Sequence, residues 1–175
     1  MSASNPRPSA ELAAYPPFDR LEAESLAFLD QHLQPVRFGS GAVLVAPDQG
    51  PVAAMYVILR GRVRESAFNG AHAGGDADLM LSVGECFPIG ALTGRRASGH
   101  LFVASTEVDA YQLPAGSFHQ LLDLSPAFSR FCSSHLANLV SRSRLELQAQ
   151  LVQQASVQQT LGRPLRELVK QAPIS

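Results

Sequence analysis

Residues 19–33 read DRLEAESLAFLDQHL, with apolar side chains at Leu21, Leu26, Phe28, Leu29 and Leu33, and Ser25 breaking the face they form. This is helical spacing, with Asp19 as the expected N-cap and Pro35 as the stop. From residue 36 to 113 the period shortens. The runs VRF, AVLVA, MYVILR, RVRES, DLMLSV, LFVAS and AYQL are β-branched or aromatic, and Gly39, Gly41, Gly50, Gly61, Gly84, Gly94 and Gly99 punctuate them. Short strands about ten residues apart, split by glycine turns, predict a sandwich or barrel. FNGAHAGGDAD, residues 68–78, predicts a hairpin tip. Beyond Pro114 the helical period returns. AGSFHQLLDL predicts a short helix, and Ser125 with Pro126 opens a long one, the serine suited to the N-cap and the proline to the first turn.

An apolar stripe then runs through Phe128, Phe131, Cys132, Leu136, Leu139, Val140, Leu147 and Leu151, with no Gly or Pro until Gly162. About 26 helical residues span roughly 39 Å, more than the width of a small β domain. The second half of the stripe therefore calls for a partner helix. A homodimer through Leu136, Leu139, Val140, Leu147 and Leu151 is expected. GRP at residues 162–164 is expected to break the helix. The division that follows is a flexible tail at 1–14, a β-roll at 15–122, the long helix at 123–161 and a linker at 162–175.

Composition narrows the class. The 175 residues are 46% hydrophobic and only 17% charged, against roughly 25% charged in ordinary soluble domains, which argues for a compact body. A net charge of −1 supplies no bulk attraction to nucleic acid or to an anionic membrane. The N-terminus MSASNPRPSAELAAYPPF has no apolar core of the secretory kind, and no run approaches the roughly 18 apolar residues of a membrane helix. A cytoplasmic protein is expected. Cys86 and Cys132 fit neither a disulfide framework nor a zinc spacing.

A short helix, about eight strands and a long helix is the order seen in cyclic-nucleotide-binding domains, and three local motifs agree. GAVL at residues 41–44 followed by Gly50 resembles that family's first turn and strand. MYVILRGRV at 55–63 resembles its central hairpin. GECF at 84–87 resembles the start of its phosphate-binding cassette, which Ala104 would close. The resemblance covers residues 18–152. It implies a mainly β fold with flanking α: a jelly-roll-like double-stranded β-helix with a short N-terminal helix and a long C-terminal one.

The cassette departs from that family where ligand is recognised. Phe87, Ala91 and Leu92 match its structural members. Ile89, however, stands where a glutamate would accept a hydrogen bond from the ribose 2′-hydroxyl, and Ser98 where an arginine would pair with the cyclic phosphate. Gly84, Glu85, Phe87, Ile89, Gly90, Ala91, Leu92, Arg95, Arg96 and Ser98 are the candidate ligand-binding residues. A helical turn after Pro88 would aim the amides of Gly90, Ala91 and Leu92 at an anion. Ser98 could add one neutral hydrogen bond, and Arg95 or Arg96 could swing in. Losing a charge-assisted phosphate contact costs on the order of 1.5–3 kcal/mol, about ten- to a hundredfold in affinity. No cofactor is expected. The ligand that the resemblance implies is cAMP or cGMP, bound weakly, in altered fashion or not at all.

CFPIGAL, SPAFSRFC and LQAQ with QQTLGRPLRELV resemble more narrowly the N-terminal domain of bacterial signal-transduction proteins. In those, CBS domains and a nucleotidyltransferase-like domain follow. The resemblance implies a regulatory module cut from such a protein, with those downstream domains as partners. Two other readings stay open: the sensor part of a catabolite-activator-type regulator without its DNA-binding part, and a purely structural dimerisation domain. A DNA reader would need a helix-turn-helix after the long helix, and nucleic acid is not an expected partner. Catalysis is not expected either. His32, His72, His100, His119 and His135 fall in separate elements with no metal-ligand spacing, and no nucleophile elbow, P-loop or carboxylate pair is present.

Overall fold

The computed structural model describes residues 6–69, 72–73 and 78–170. All seven expected strand runs fall on one sheet or the other, the first four in alternation, so the chain winds between two antiparallel sheets. The first has the order β1 (Gln34–Phe38), β9 (Val108–Pro114), β3 (Ala54–Arg60), β7 (Cys86–Phe87). The second runs β2 (Val43–Val45), β8 (His100–Ala104), β4 (Val63–Asn69), β5 (His72–Ala73), with β6 (Leu79–Leu81) also paired to β4. Around them lie α1 (Pro8–Leu12), α2 (Ala23–His32), α3 (Ile89–Thr93), α4 (Ala115–Leu124) and α5 (Pro126–Lys170), with 3₁₀ turns at Phe18–Arg20 and Pro47–Gln49. This is the jelly-roll-like β-roll with flanking helices that the sequence predicts.

Hydrophobic pattern explains which face of each sheet is covered. On β3, Met55 and Val57 join a core with Phe118, Leu121 and Phe128 from the helices, while Ile58 joins a second core between the sheets with Val63, Phe87 and Phe102. A strand buried on both faces needs an unbroken apolar run, and MYVIL is one. On β4, Val63 and Ser66 are buried whereas Arg64 and Phe68 are exposed. At the β3–β4 turn Gly61 has φ +91°, and a Cβ there would lie 2.1 Å from the Glu107 carbonyl oxygen. Only glycine fits that approach.

The N-terminal region differs from expectation. Residues Pro8–Leu12 of the expected tail form α1, and Leu12 is fully buried. Asp30 holds α1 by accepting from both the amide and the hydroxyl of Ser9, each at 2.8 Å. The Tyr111 hydroxyl donates to Glu11 at 2.6 Å. One buried leucine among Ser, Pro and Ala is too weak a periodic signal to reveal a five-residue helix. Asp19 is not the N-cap of α2; it lies in the 3₁₀ turn, and Glu22 precedes α2. As expected, α2 stops ahead of Pro35, at His32; Pro35 itself sits in β1, which among the described residues pairs with β9 at the sheet edge, where its missing N–H is tolerated.

The chain divides into two compact units, residues 1–135 and 136–175, later than the expected division at 122/123. The first turns of α5 belong with the roll because Phe128 and Cys132 are buried in its core, at 0% and 2% exposure. In the second unit α5 does not break at 162–164 but continues to Lys170. An interior proline costs about 3 kcal/mol, and nothing in the described residues accounts for the helix running through Pro164. Within the hairpin expected at residues 68–78, β5 pairs back on β4 with Phe68 opposite Ala73 and Asn69 opposite His72; its residues 70–71 and 74–77, and residues 171–175 of the expected linker, lie outside the described residues.

Candidate functional site

The cassette begins at a turn anchored to β3. The amide of Gly84 donates to the Ile58 carbonyl at 2.8 Å, and the amide of Ile58 donates to that of Glu85 at 3.2 Å. The Glu85 carboxylate closes its own turn, accepting from the amide and hydroxyl of Ser82 at 2.6 and 3.1 Å. Gly84 has φ +88°, and the Tyr15 ring lies so close that a Cβ would come within 2.3 Å of it. The N-terminal segment is thereby packed directly on the start of the cassette.

Phe87 then turns inward. Its ring stacks on Tyr56 at 5.5 Å and on Phe102 at 4.9 Å, and Phe38 meets Tyr56 edge-on at 5.8 Å. Four aromatic rings from both sheets thus occupy the interior of the roll. Burial raises the Tyr56 phenol above its ordinary pKa.

After Pro88 the chain forms α3, the helical turn expected there, but its groups are differently committed. Leu92 donates its amide to the Pro88 carbonyl at 3.2 Å, so of the expected trio only the Gly90 and Ala91 amides remain outside this bond. Ile89 does not line a pocket. It is 1% exposed and lies in the helix-side core with Leu92, Leu113 and Phe118. Alternation along β7 sends Phe87 into the roll and Cys86 to the helix-side core, and Ile89 reaches that same core as the first residue of α3. An apolar residue at this position is explained by that burial alone.

Ser98 is likewise committed. It is 6% exposed; its hydroxyl donates to the His100 carbonyl at 2.7 Å and accepts from the His100 amide at 3.0 Å. The proton that could have met a phosphate is used within the loop.

The two arginines are exposed and point elsewhere. Arg95 adopts φ +50°, a left-handed conformation uncommon for a residue with a side chain. Its charge, second to burial, holds the His119 imidazole below its ordinary pKa, which places its influence on α4. The backbone of Arg96 is pinned, its amide donating to Ala91 at 3.0 Å and its carbonyl accepting from Val52 at 3.2 Å. Its side chain covers Gly94, where a Cβ would sit 3.1 Å from Nε.

Two features had no signal in the sequence because their partners are remote along the chain. His100 on β8 pairs with Glu65 on β4 beside the end of the cassette. Glu22 reaches across to the start of α5, accepting from the Ser125 hydroxyl at 2.5 Å and the Ala127 amide at 3.2 Å. The hydrogen bond from Ser125, foremost, holds the Glu22 carboxyl below its ordinary pKa. Ser125 also accepts from the Phe128 amide at 3.1 Å and so is the N-cap that its sequence position predicts.

A cavity of about 120 Å³ lies under the 44–56 segment, lined by Leu44, Gln49, Val52 and Tyr56 among others and by no cassette residue. Typical small-molecule sites are roughly 300–1,000 Å³. The thiols of Cys86 and Cys132 are raised by burial, that of Cys132 to about 12, which leaves both protonated and unreactive at neutral pH. Among the described residues no three His, Cys, Asp or Glu side chains gather to hold a metal ion, and no helix is long and apolar enough to cross a membrane.

No protein-family model matches the chain, and no curated protein matches it by sequence. Solved structures do. The chain is similar to the sensor domain of the transcriptional regulator DNR from Pseudomonas aeruginosa, with TM-score 0.60 and 15% identity over 77% of this chain and 91% of that one. It is similar to the catabolite activator protein of Thermus thermophilus, with TM-score 0.63 and 22% identity over 74% of this chain and 60% of that one. It is also similar to a variant of a cAMP-binding acyltransferase from Mycobacterium smegmatis, with TM-score 0.55 and 24% identity. That match covers 70% of this chain and 37% of the acyltransferase. The likenesses share one architecture, the β-roll of cyclic-nucleotide-binding-type domains.

Proposed function

We propose that the chain is the regulatory or sensor module of a bacterial signal-transduction protein, with a degenerate cassette that binds cyclic nucleotides weakly, in altered fashion or not at all. The observation that carries this reading is the commitment of both recognition positions to the fold: Ile89 to the core and the Ser98 hydroxyl to His100. The module has no catalytic step of its own. It works in the cytoplasm as a homodimer through the exposed side chains of α5, and it acts on the CBS and nucleotidyltransferase-like domains that its sequence resemblance implies. A ligand regulates such a module only through its differential affinity for two states, typically 1–3 kcal/mol, so a weak ligand suffices.

Likeness in fold to the DNR sensor domain and to a catabolite activator protein supports a second reading, the sensor part of a transcription regulator. A helix-turn-helix encoded after residue 175 would decide for it, and CBS motifs there would decide against it.

Thermal melting in 1 mM cyclic nucleotide tests the binding claim. A ligand with a Kd of 1 μM would stabilise the fold by about 4.1 kcal/mol. For a chain of this size that raises Tm by roughly 8–16 °C. The expected shift with cAMP or cGMP is below about 6 °C, the most that a Kd weaker than about 100 μM gives at this concentration, and a panel of cyclic dinucleotides is run beside them. A rise of 8 °C or more with either mononucleotide refutes the reading.

A further inference from the structure

A groove of about 420 Å³ lies on the roll unit, away from the cassette. Its apolar lining is Phe131 and Ala127 from the first turns of α5, with Pro16 and Pro17 opposite; Arg20, Arg130 and Ser134 supply its polar groups. Its volume falls within the roughly 300–1,000 Å³ of small-molecule sites. The charge is unbalanced. Arg20 meets one acid, Asp19, at 3.5 Å, and its side chain is 83% exposed. Among the described residues Arg130 has no salt bridge, and it is exposed.

We propose that this groove binds a small amphiphilic carboxylate, its aliphatic or aromatic body against Phe131 and the two prolines and its anionic head at Arg20 and Arg130. Guanidinium forks match carboxylates in a planar, two-bond geometry. A peptide strand fits this wall poorly, because prolines offer no N–H for main-chain pairing. The position gives occupancy a consequence. Tyr15, next to Pro16, packs on Gly84 at the start of the cassette, while the opposite side of the groove is the first part of α5. A ligand held there touches both the segment that covers the cassette and the helix that leaves the roll.

The test is an amide-resolved NMR titration of the 175-residue chain with octanoate. Octanol serves as the uncharged body and inorganic phosphate as the bare anion. Octanoate should give saturable shifts at the amides of Arg20, Ala127, Phe131 and Ser134. Octanol and phosphate should each bind at least about tenfold more weakly, as should octanoate to Arg130→Gln, the change expected on losing one charge-assisted contact. Arg130 is exposed, so the variant's remaining spectrum should match the parent and report an intact fold. The proposal is overturned if octanoate gives no saturable shifts up to about 10 mM, a limit of roughly −2.7 kcal/mol. It is equally overturned if the shifts map elsewhere, or if octanol, phosphate or Arg130→Gln gives an undiminished affinity. None of these outcomes depends on whether the cassette binds cyclic nucleotide.

Discussion

Ser98 and Ile89 show how a position keeps its place in a loop while its work changes. A serine with its hydroxyl free could offer a phosphate one neutral hydrogen bond, but this one is closed on His100. The departures themselves were plain in the sequence. Their destinations were not, because burial of Ile89 depends on Phe118 and Leu113, more than twenty residues further on. His119 gives a prediction at this scale. Burial, then the charge of Arg95, lowers its pKa below the ordinary 6.5. The unfolded chain therefore takes up the proton at higher pH than the folded one. The stability involved is fully present above about pH 6.5 and declines as pH falls through the folded value. Glu22, also lowered but from 4.5, contributes only to a loss at more acidic pH. The urea midpoint should fall between pH 7.5 and 5.5, and fall less in His119→Gln. Equal falls in parent and variant would show that His119 is not the group responsible.

Elements were legible where one local pattern decided them. The unbroken MYVIL describes a doubly covered strand, and Ser125 with Pro126 marks the start of α5 as clearly as any pair in the chain. What could not be read were contacts with distant partners: Asp30 and Tyr111 on α1, β3 on β7, and Glu22 on the serine that caps α5. The last of these makes Ser125 a joint between α2 and α5. Ser125→Ala removes an N-cap that is fully buried, at a cost of about 0.5–2 kcal/mol, or roughly 1–8 °C in Tm for a chain of this size. Glu22→Gln should lower Tm in the same direction, and the double variant should cost less than the two single losses added, since both act on one contact. Strict additivity by thermal melting would argue that the two residues act separately.

For the molecule as a whole, the two units pose different questions. In residues 136–175, Val140, Leu147 and Leu151 are 70%, 60% and 65% exposed, an apolar line that is costly to leave in water. The proposed homodimer covers it. Replacing Val140 and Leu147 together with Asp should give a monomer by light scattering, whereas a parent chain already monomeric at high micromolar concentration would exclude the dimer. In residues 1–135 the β-roll was legible from strand spacing and glycine turns, but the aromatic filling of its interior was not, because Phe38, Tyr56, Phe87 and Phe102 come from four separate strands. That filling and the committed cassette together make the central claim that the shell of a nucleotide site has been kept for structure. Isothermal titration of the chain with cAMP and with cGMP tests it most directly. The predicted result is no saturable heat, or a Kd weaker than about 100 μM, roughly −5.5 kcal/mol. Sub-micromolar binding of either nucleotide would contradict the claim. If that binding also weakened tenfold or more in Arg96→Ala, it would mean that Arg96 leaves Gly94 to supply the phosphate contact that Ser98 lacks.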